Sequence, residues 1–111
     1  MYEISEHSQV LDDGTEITTY EREVVSGANI LDVEAGTTGY MGGDTGHGGR
    51  TYFRISDAAC TDIDVHVFRD RFGDAAGFEV IFGGDCELET MIRALKFITK
   101  VLEDESKEVC D

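Results

Sequence analysis

The chain has 111 residues, a size for one domain, and its 24 acidic and 9 basic residues give a net charge of −15. Such a charge argues against wrapping a nucleic-acid duplex, whose phosphates would be repelled over most of the surface. It leaves room for a small anion, because one local arginine pocket outweighs a distant field that salt screens beyond about 10 Å. Apolar residues make up 41% of the chain, enough for a core.

No run approaches roughly 18 consecutive apolar residues, so no membrane-spanning helix is expected. The acidic start, with Glu3 and Glu6 and no long apolar stretch, does not read as a signal peptide. Three widely spaced cysteines, Cys60, Cys86 and Cys110, read as reduced thiols in a cytoplasm. There is no C-x-x-C pair to suggest a structural zinc site, and no cofactor is implied. Charge is unevenly placed. Residues 1–25 sum to −6 and residues 103–111 to −4, whereas residues 83–102 are neutral. Seven of the nine basic residues fall between positions 50 and 102, so an anion site is expected there.

In chain order, Asp13-Gly14 is a hairpin signal between residues 8–11 and the β-branched run 16–25. Residues 30–35 put Leu31, Val33 and Ala35 on one face of a strand. A loop at 36–49 follows, in which seven of fourteen residues are glycine. Residues 50–56 alternate Thr51, Phe53 and Ile55 against Arg50, Tyr52 and Arg54. Residues 62–69 alternate Ile63, Val65 and Val67 against Asp64, His66 and Phe68, and residues 77–82 put Phe78, Val80 and Phe82 on one face. This two-residue period with short links predicts an antiparallel meander of about five strands.

The period then changes. After Gly83-Gly84-Asp85, a turn with a possible N-cap, the spacing of Leu88, Met91, Ile92, Leu95, Ile98 and Leu102 predicts a long helix from about 86 to 103. A second stripe, Ala94, Phe97 and Val101, makes the apolar face wider than one sheet contact requires. The excess predicts a homo-oligomer, unless the N-terminal hairpin folds over the helix. Residues 104–111 read as an acidic, frayed tail. The expected class is α+β, an antiparallel sheet followed by one long C-terminal helix, in a single domain over residues 1–111.

Several constellations could carry chemistry. The glycine-rich loop can bring backbone amides close to an anion, and it leads into Arg50, Tyr52 and Arg54 on one strand face. Two guanidiniums can chelate phosphates, and the ring between them can stack on a base. The loop is neither a Walker loop nor a G-x-G-x-x-G motif, and the competing reading is a surface loop whose arginines pair with nearby carboxylates. The turn at 83–85 is a second anion candidate, although Asp85, Glu87 and Glu89 favour ordinary capping. Asp62, Asp64 and His66, with Asp44 and His47, could hold a metal, but without a recognised ligand spacing they read as a solvated strand face. Cys86 could be activated at a helix N-terminus, yet three adjacent acids oppose that, and Cys60 reads as packing; no catalytic residue is expected.

This layout, with the glycine loop and the strand at 50–55, resembles the first type of phage anti-Thoeris protein. The resemblance implies a symmetric oligomer that sequesters cyclic nucleotide immune signals, namely cyclic ADP-ribose isomers or cyclic oligonucleotides, without degrading them. It implies Arg22, Gly36 and Arg54 as phosphate-site counterparts, and Gly77, Phe82 and Arg93 around an ADP-ribose pocket. Arg93 departs from the smaller polar side chain expected there. Two other function classes remain open at this level. One is an acidic, DNA-mimic-like inhibitor that blocks a basic host surface. The other is a small metal-dependent nucleotide hydrolase.

Overall fold

The computed structural model describes residues 4–27, 29–39, 49–59 and 62–110. Among these residues the chain forms six strands and one helix: β1 (Ser5–Val10), β2 (Glu16–Ser26), β3 (Asn29–Thr37), β4 (Thr51–Ala59), β5 (Ile63–Arg69), β6 (Ala75–Phe82) and α1 (Asp85–Cys110). The architecture is the α+β class expected, with one strand more than the alternation suggested. The strands also do not make one meander. β1 to β4 form a four-stranded antiparallel sheet in chain order, and β5–β6 form a separate two-stranded hairpin.

Local chemistry accounts for the turns. At Asp13-Gly14 the Gly14 amide donates to the Leu11 carbonyl at 2.9 Å, and Gly14 has φ +88°, a conformation in which a Cβ is strained. The β5–β6 turn is organised by Asp70, whose Oδ1 accepts from the amides of Phe72 at 2.9 Å and Asp74 at 3.0 Å. Between β3 and β4 the ends of the glycine-rich loop are pinned together. The Thr38 amide donates to the Arg50 carbonyl at 3.0 Å, and the Arg50 amide donates to Thr38 Oγ1 at 2.9 Å. Residues 40–48 of that loop, with Asp44 and His47, lie outside the described residues, as does Cys60.

Helix α1 begins where Gly84 offers its carbonyl to the Leu88 amide at 3.2 Å. It does not end near residue 103. It runs on to Cys110, so the stretch read as an acidic tail forms its last turns. The chain contains no proline, and residues 85–110 contain no glycine to stop the helix. Lys100 Nζ pairs with Asp104 at 3.1 Å one turn on, as i,i+4 charges do along a continuing helix.

The core lies between α1 and the four-stranded sheet. Leu31, Val33 and Ala35 of β3 and Val24 of β2 meet Ala94, Phe97, Ile98 and Val101 of α1. On β4, Phe53 pairs with Ala35 and Ile55 with Val33, so the strand faces read from alternation hold. The helix, however, buries its narrower stripe. Ala94 and Thr90 are fully buried, while Leu88, Ile92 and Leu95 are exposed at 62%, 43% and 50%. Small side chains at 90 and 94 let the helix approach β3 closely, and the bulky Leu88–Ile92–Leu95 edge is turned outward.

Candidate functional site

The two sides of the four-stranded sheet carry different electrostatics. Arg22 pairs in register with Val33, a core residue, and therefore lies on the helix side. Arg54 pairs with Glu34 and lies on the opposite side, away from α1. The two arginines expected to share a phosphate thus sit on opposite faces of one sheet within the chain.

On the side away from α1, Arg54 is enclosed by carboxylates. Its Nη2 lies 2.9 Å from Glu21, 3.2 Å from Asp32 and 3.2 Å from Glu34. Glu34 is buried and also accepts from Gln9 Nε2 at 2.8 Å and Thr19 Oγ1 at 2.5 Å. His7 Nε2 stands 2.8 Å from Glu21. Burial, and then the hydrogen bond to Glu21, push the Asp32 carboxyl up to about 6, while the same hydrogen bond lowers Glu21. Arg54 is committed to three acids, which leaves this face electronegative. Arg50 is likewise engaged, with Nε 2.8 Å from Asp13 Oδ2. The Thr15 amide and then Arg50 hold the Asp13 carboxyl down at about 2.

Gly36 has a structural task. It is buried in β3 opposite Thr19 and Tyr52, and a Cβ there would run into the Thr18 carbonyl. Tyr52 and Arg54 border a cleft of about 400 Å³ between β4 and the hairpin, lined mainly by apolar groups including Phe53, Val65, Phe78 and Met91. Phe53 and Phe78 approach across it with ring centroids 6.2 Å apart. Gly77 packs beside Phe68 on the hairpin, and Phe82 packs against the main core. On the polar face of β5, His66 Nε2 lies 3.1 Å from Asp64. Among the described residues no three His, Cys, Asp or Glu side chains come together to hold a metal ion.

Arg22 and Arg93 are brought together. They line a groove of about 430 Å³ between β2 and α1, with Lys96, Phe97 and Lys100. The Arg22 guanidinium carbon stands 5.8 Å from the Phe97 ring centroid, a cation–π arrangement, and Nε of Arg22 is buried without a hydrogen-bond partner. Arg93 donates to the Val25 carbonyl and to Glu89 Oε1, the latter at 2.6 Å. A second depression of about 290 Å³ shares Arg22, Phe97 and Lys100 and extends the groove toward Tyr20, Asp104 and Glu105. Burial, and then the Glu105 charge, raise the Tyr20 phenol above its usual value.

No family model, curated protein or solved structure matches this chain.

Four of the nine basic residues therefore face one groove in a chain of net charge −15. Arg22 and Arg93 were expected as site residues, Phe97 only as part of an apolar helix stripe, and Lys96 and Lys100 not at all. Their signal was the i, i+3, i+7 spacing of Arg93, Lys96 and Lys100, which puts three cations along one side of a helix. The exposed ion pairs of Arg93 and Lys100 are weak enough for a phosphate to compete for those cations. No helix among the described residues is long and apolar enough to cross a membrane.

Proposed function

We propose that this chain is a phage anti-defence binding protein that sequesters a cyclic nucleotide immune signal, without degrading it, in the host cytoplasm. The observation that carries the reading is the concentration of Arg22, Arg93, Lys96 and Lys100 around the Phe97 ring in one groove of an otherwise acidic molecule. Phosphate oxygens would take the lysine ammoniums and the charge of the Arg22 and Arg93 guanidiniums that line the groove, in charge-assisted hydrogen bonds. A base or ribose would lie in the adjoining depression toward Tyr20, where Asp104 and Glu105 offer acceptors for hydroxyl or amino groups. This moves the phosphate role from Arg54, which three carboxylates hold, and from Arg50, which lies outside the groove, to Arg22 and the basic side of α1. The partners proposed are a small cyclic nucleotide and further copies of the same chain.

A capture-and-release assay tests the reading. The protein is incubated with cyclic ADP-ribose isomers and cyclic di- and trinucleotides, filtered and then heat-denatured. One member of the panel should vanish from the filtrate and return intact on heating. An untouched panel refutes the sequestration reading for those ligands, and a changed mass on release refutes binding without chemistry.

A further inference from the structure

Among the described residues β1 and β4 are the two outer strands of the four-stranded sheet, and their edges differ. β1 is exposed and polar from Ser5 to Gln9, an edge that discourages pairing. β4 instead borders the cleft of about 400 Å³, whose far wall is the apolar face of the β5–β6 hairpin. On the walls of that cleft Phe53, Val65 and Phe78 are 45%, 54% and 58% exposed.

The register fixes which backbone groups β4 offers to the cleft. The Thr38 amide donates to the Arg50 carbonyl at 3.0 Å, so Tyr52 opposite Gly36 and Arg54 opposite Glu34 turn their amides and carbonyls toward β3. The intervening Thr51, Phe53 and Ile55 turn theirs outward, and all three line the cleft. Three donors and three acceptors, along about 13 Å of strand, thus face an apolar wall.

We infer that the cleft receives an extended peptide of a partner protein, added antiparallel to β4 as a fifth strand, with apolar side chains alternating with lysine or arginine. The direction is that of every pair in this sheet, and antiparallel pairing is the more stable per residue. Peptide residues opposite Thr51, Phe53 and Ile55 share the face of those residues, on the α1 side, where Val65, Phe78 and Met91 receive apolar side chains. Peptide residues opposite Tyr52 and Arg54 fall on the other side of the sheet. There Glu21, Asp32 and Glu34 outnumber Arg54 three to one, and charge complementarity selects a basic residue. The flanking stretch agrees, since residues 57–87 hold eight acids and two arginines. Main-chain bonds supply the affinity in such strand addition, and the alternate side chains choose the partner.

This inference does not depend on the nucleotide reading, and its test is run without any nucleotide. The probe is the end-capped peptide Val-Lys-Val-Lys-Val-Lys-Val, compared by calorimetry with a peptide of the same composition whose valines and lysines stand in separate blocks. The alternating peptide should bind at least about tenfold more tightly. N-methylation of its two inner valines, whose amides face β4, should abolish binding. N-methylation of the central lysine, whose amide faces away, should leave it unchanged. Val65→Lys, at a half-exposed position, should weaken binding at least about tenfold while circular dichroism keeps the parent spectrum. Equal affinity for the block peptide overturns the inference, because charge alone then accounts for binding. So does binding that ignores the valine N-methyl groups or Val65→Lys. No binding at all, the result if a second copy of the chain already covers the edge, overturns it as well.

Discussion

The Arg22 guanidinium stands 5.8 Å from the centre of the Phe97 ring, and its Nε is buried with no hydrogen-bond partner. A buried donor left unpaired costs about 1–3 kcal/mol. The fold carries that cost at an arginine that shares its groove with three further cations, Arg93, Lys96 and Lys100.

Arg22→Met separates the two roles of that side chain. The methionine keeps an unbranched stem against Phe97 and removes both the charge and the unpaired donor. Thermal stability should stay level or rise. Nucleotide capture should weaken by about 10- to 100-fold, since a charge-assisted hydrogen bond contributes roughly 1.5–3 kcal/mol. Equilibrium dialysis beside a melting curve checks both. An unaltered affinity would remove Arg22 from the site.

Arg54→Ala should do the reverse. Arg54 is the counter-charge for Glu21, Asp32 and the buried Glu34, so its loss leaves three acids facing one another. The free energy of unfolding in urea should fall by about 1–3 kcal/mol, with nucleotide capture retained in the fraction that remains folded. Loss of capture at unchanged stability would restore Arg54 to the binding site and place the groove reading in error.

The contrast between these arginines shows which features could be read locally. Asp13-Gly14, the alternation of Phe53 and Ile55 and the start of α1 were legible because each depends on a few adjacent residues. The partners of Arg54 were not, because Glu21 lies 33 residues away and Asp32 22 residues away, and only strand register brings them to it. Which stripe of α1 is buried was hidden for the same reason. Leu88, Ile92 and Leu95 are the more hydrophobic edge, but Val24 on β2 and Leu31, Val33 and Ala35 on β3 meet the Ala94, Phe97, Ile98 and Val101 side instead. The basic side of the groove was visible as a spacing, yet it acquired meaning only when Arg22 arrived from β2.

Gly36 separates a ligand-cradling role from a packing role. A methyl group at Gly36 meets the Thr18 carbonyl and the Thr19 side chain of the neighbouring strand, so Gly36→Ala must spread β2 from β3. Stability should fall by about 1–3 kcal/mol, with nucleotide affinity unchanged in the folded fraction. Chemical denaturation followed by dialysis below the transition measures both. A variant of native stability that no longer captures nucleotide would mark Gly36 as part of a phosphate cradle.

Asp32 sets the pH dependence of the side of the sheet turned away from α1. Its folded value is raised from 3.8 to about 6 by burial and by the neighbouring Glu21. The protonated carboxyl is therefore favoured by folding. Its contribution to stability is complete below pH 3.8 and is lost as the pH rises through 6. Glu21 is lowered and works in the opposite sense, with a contribution present above its unfolded value of 4.5 and lost on acidification. Asp32→Asn keeps a hydrogen-bond donor toward Glu21 and removes the ionisation. Its melting temperature should exceed that of the parent at pH 8, and the gap should shrink as the pH is lowered through 6 toward 5. A gap that stays constant across that window would show that Asp32 is already fully ionised in the fold and that Arg54 compensates it completely.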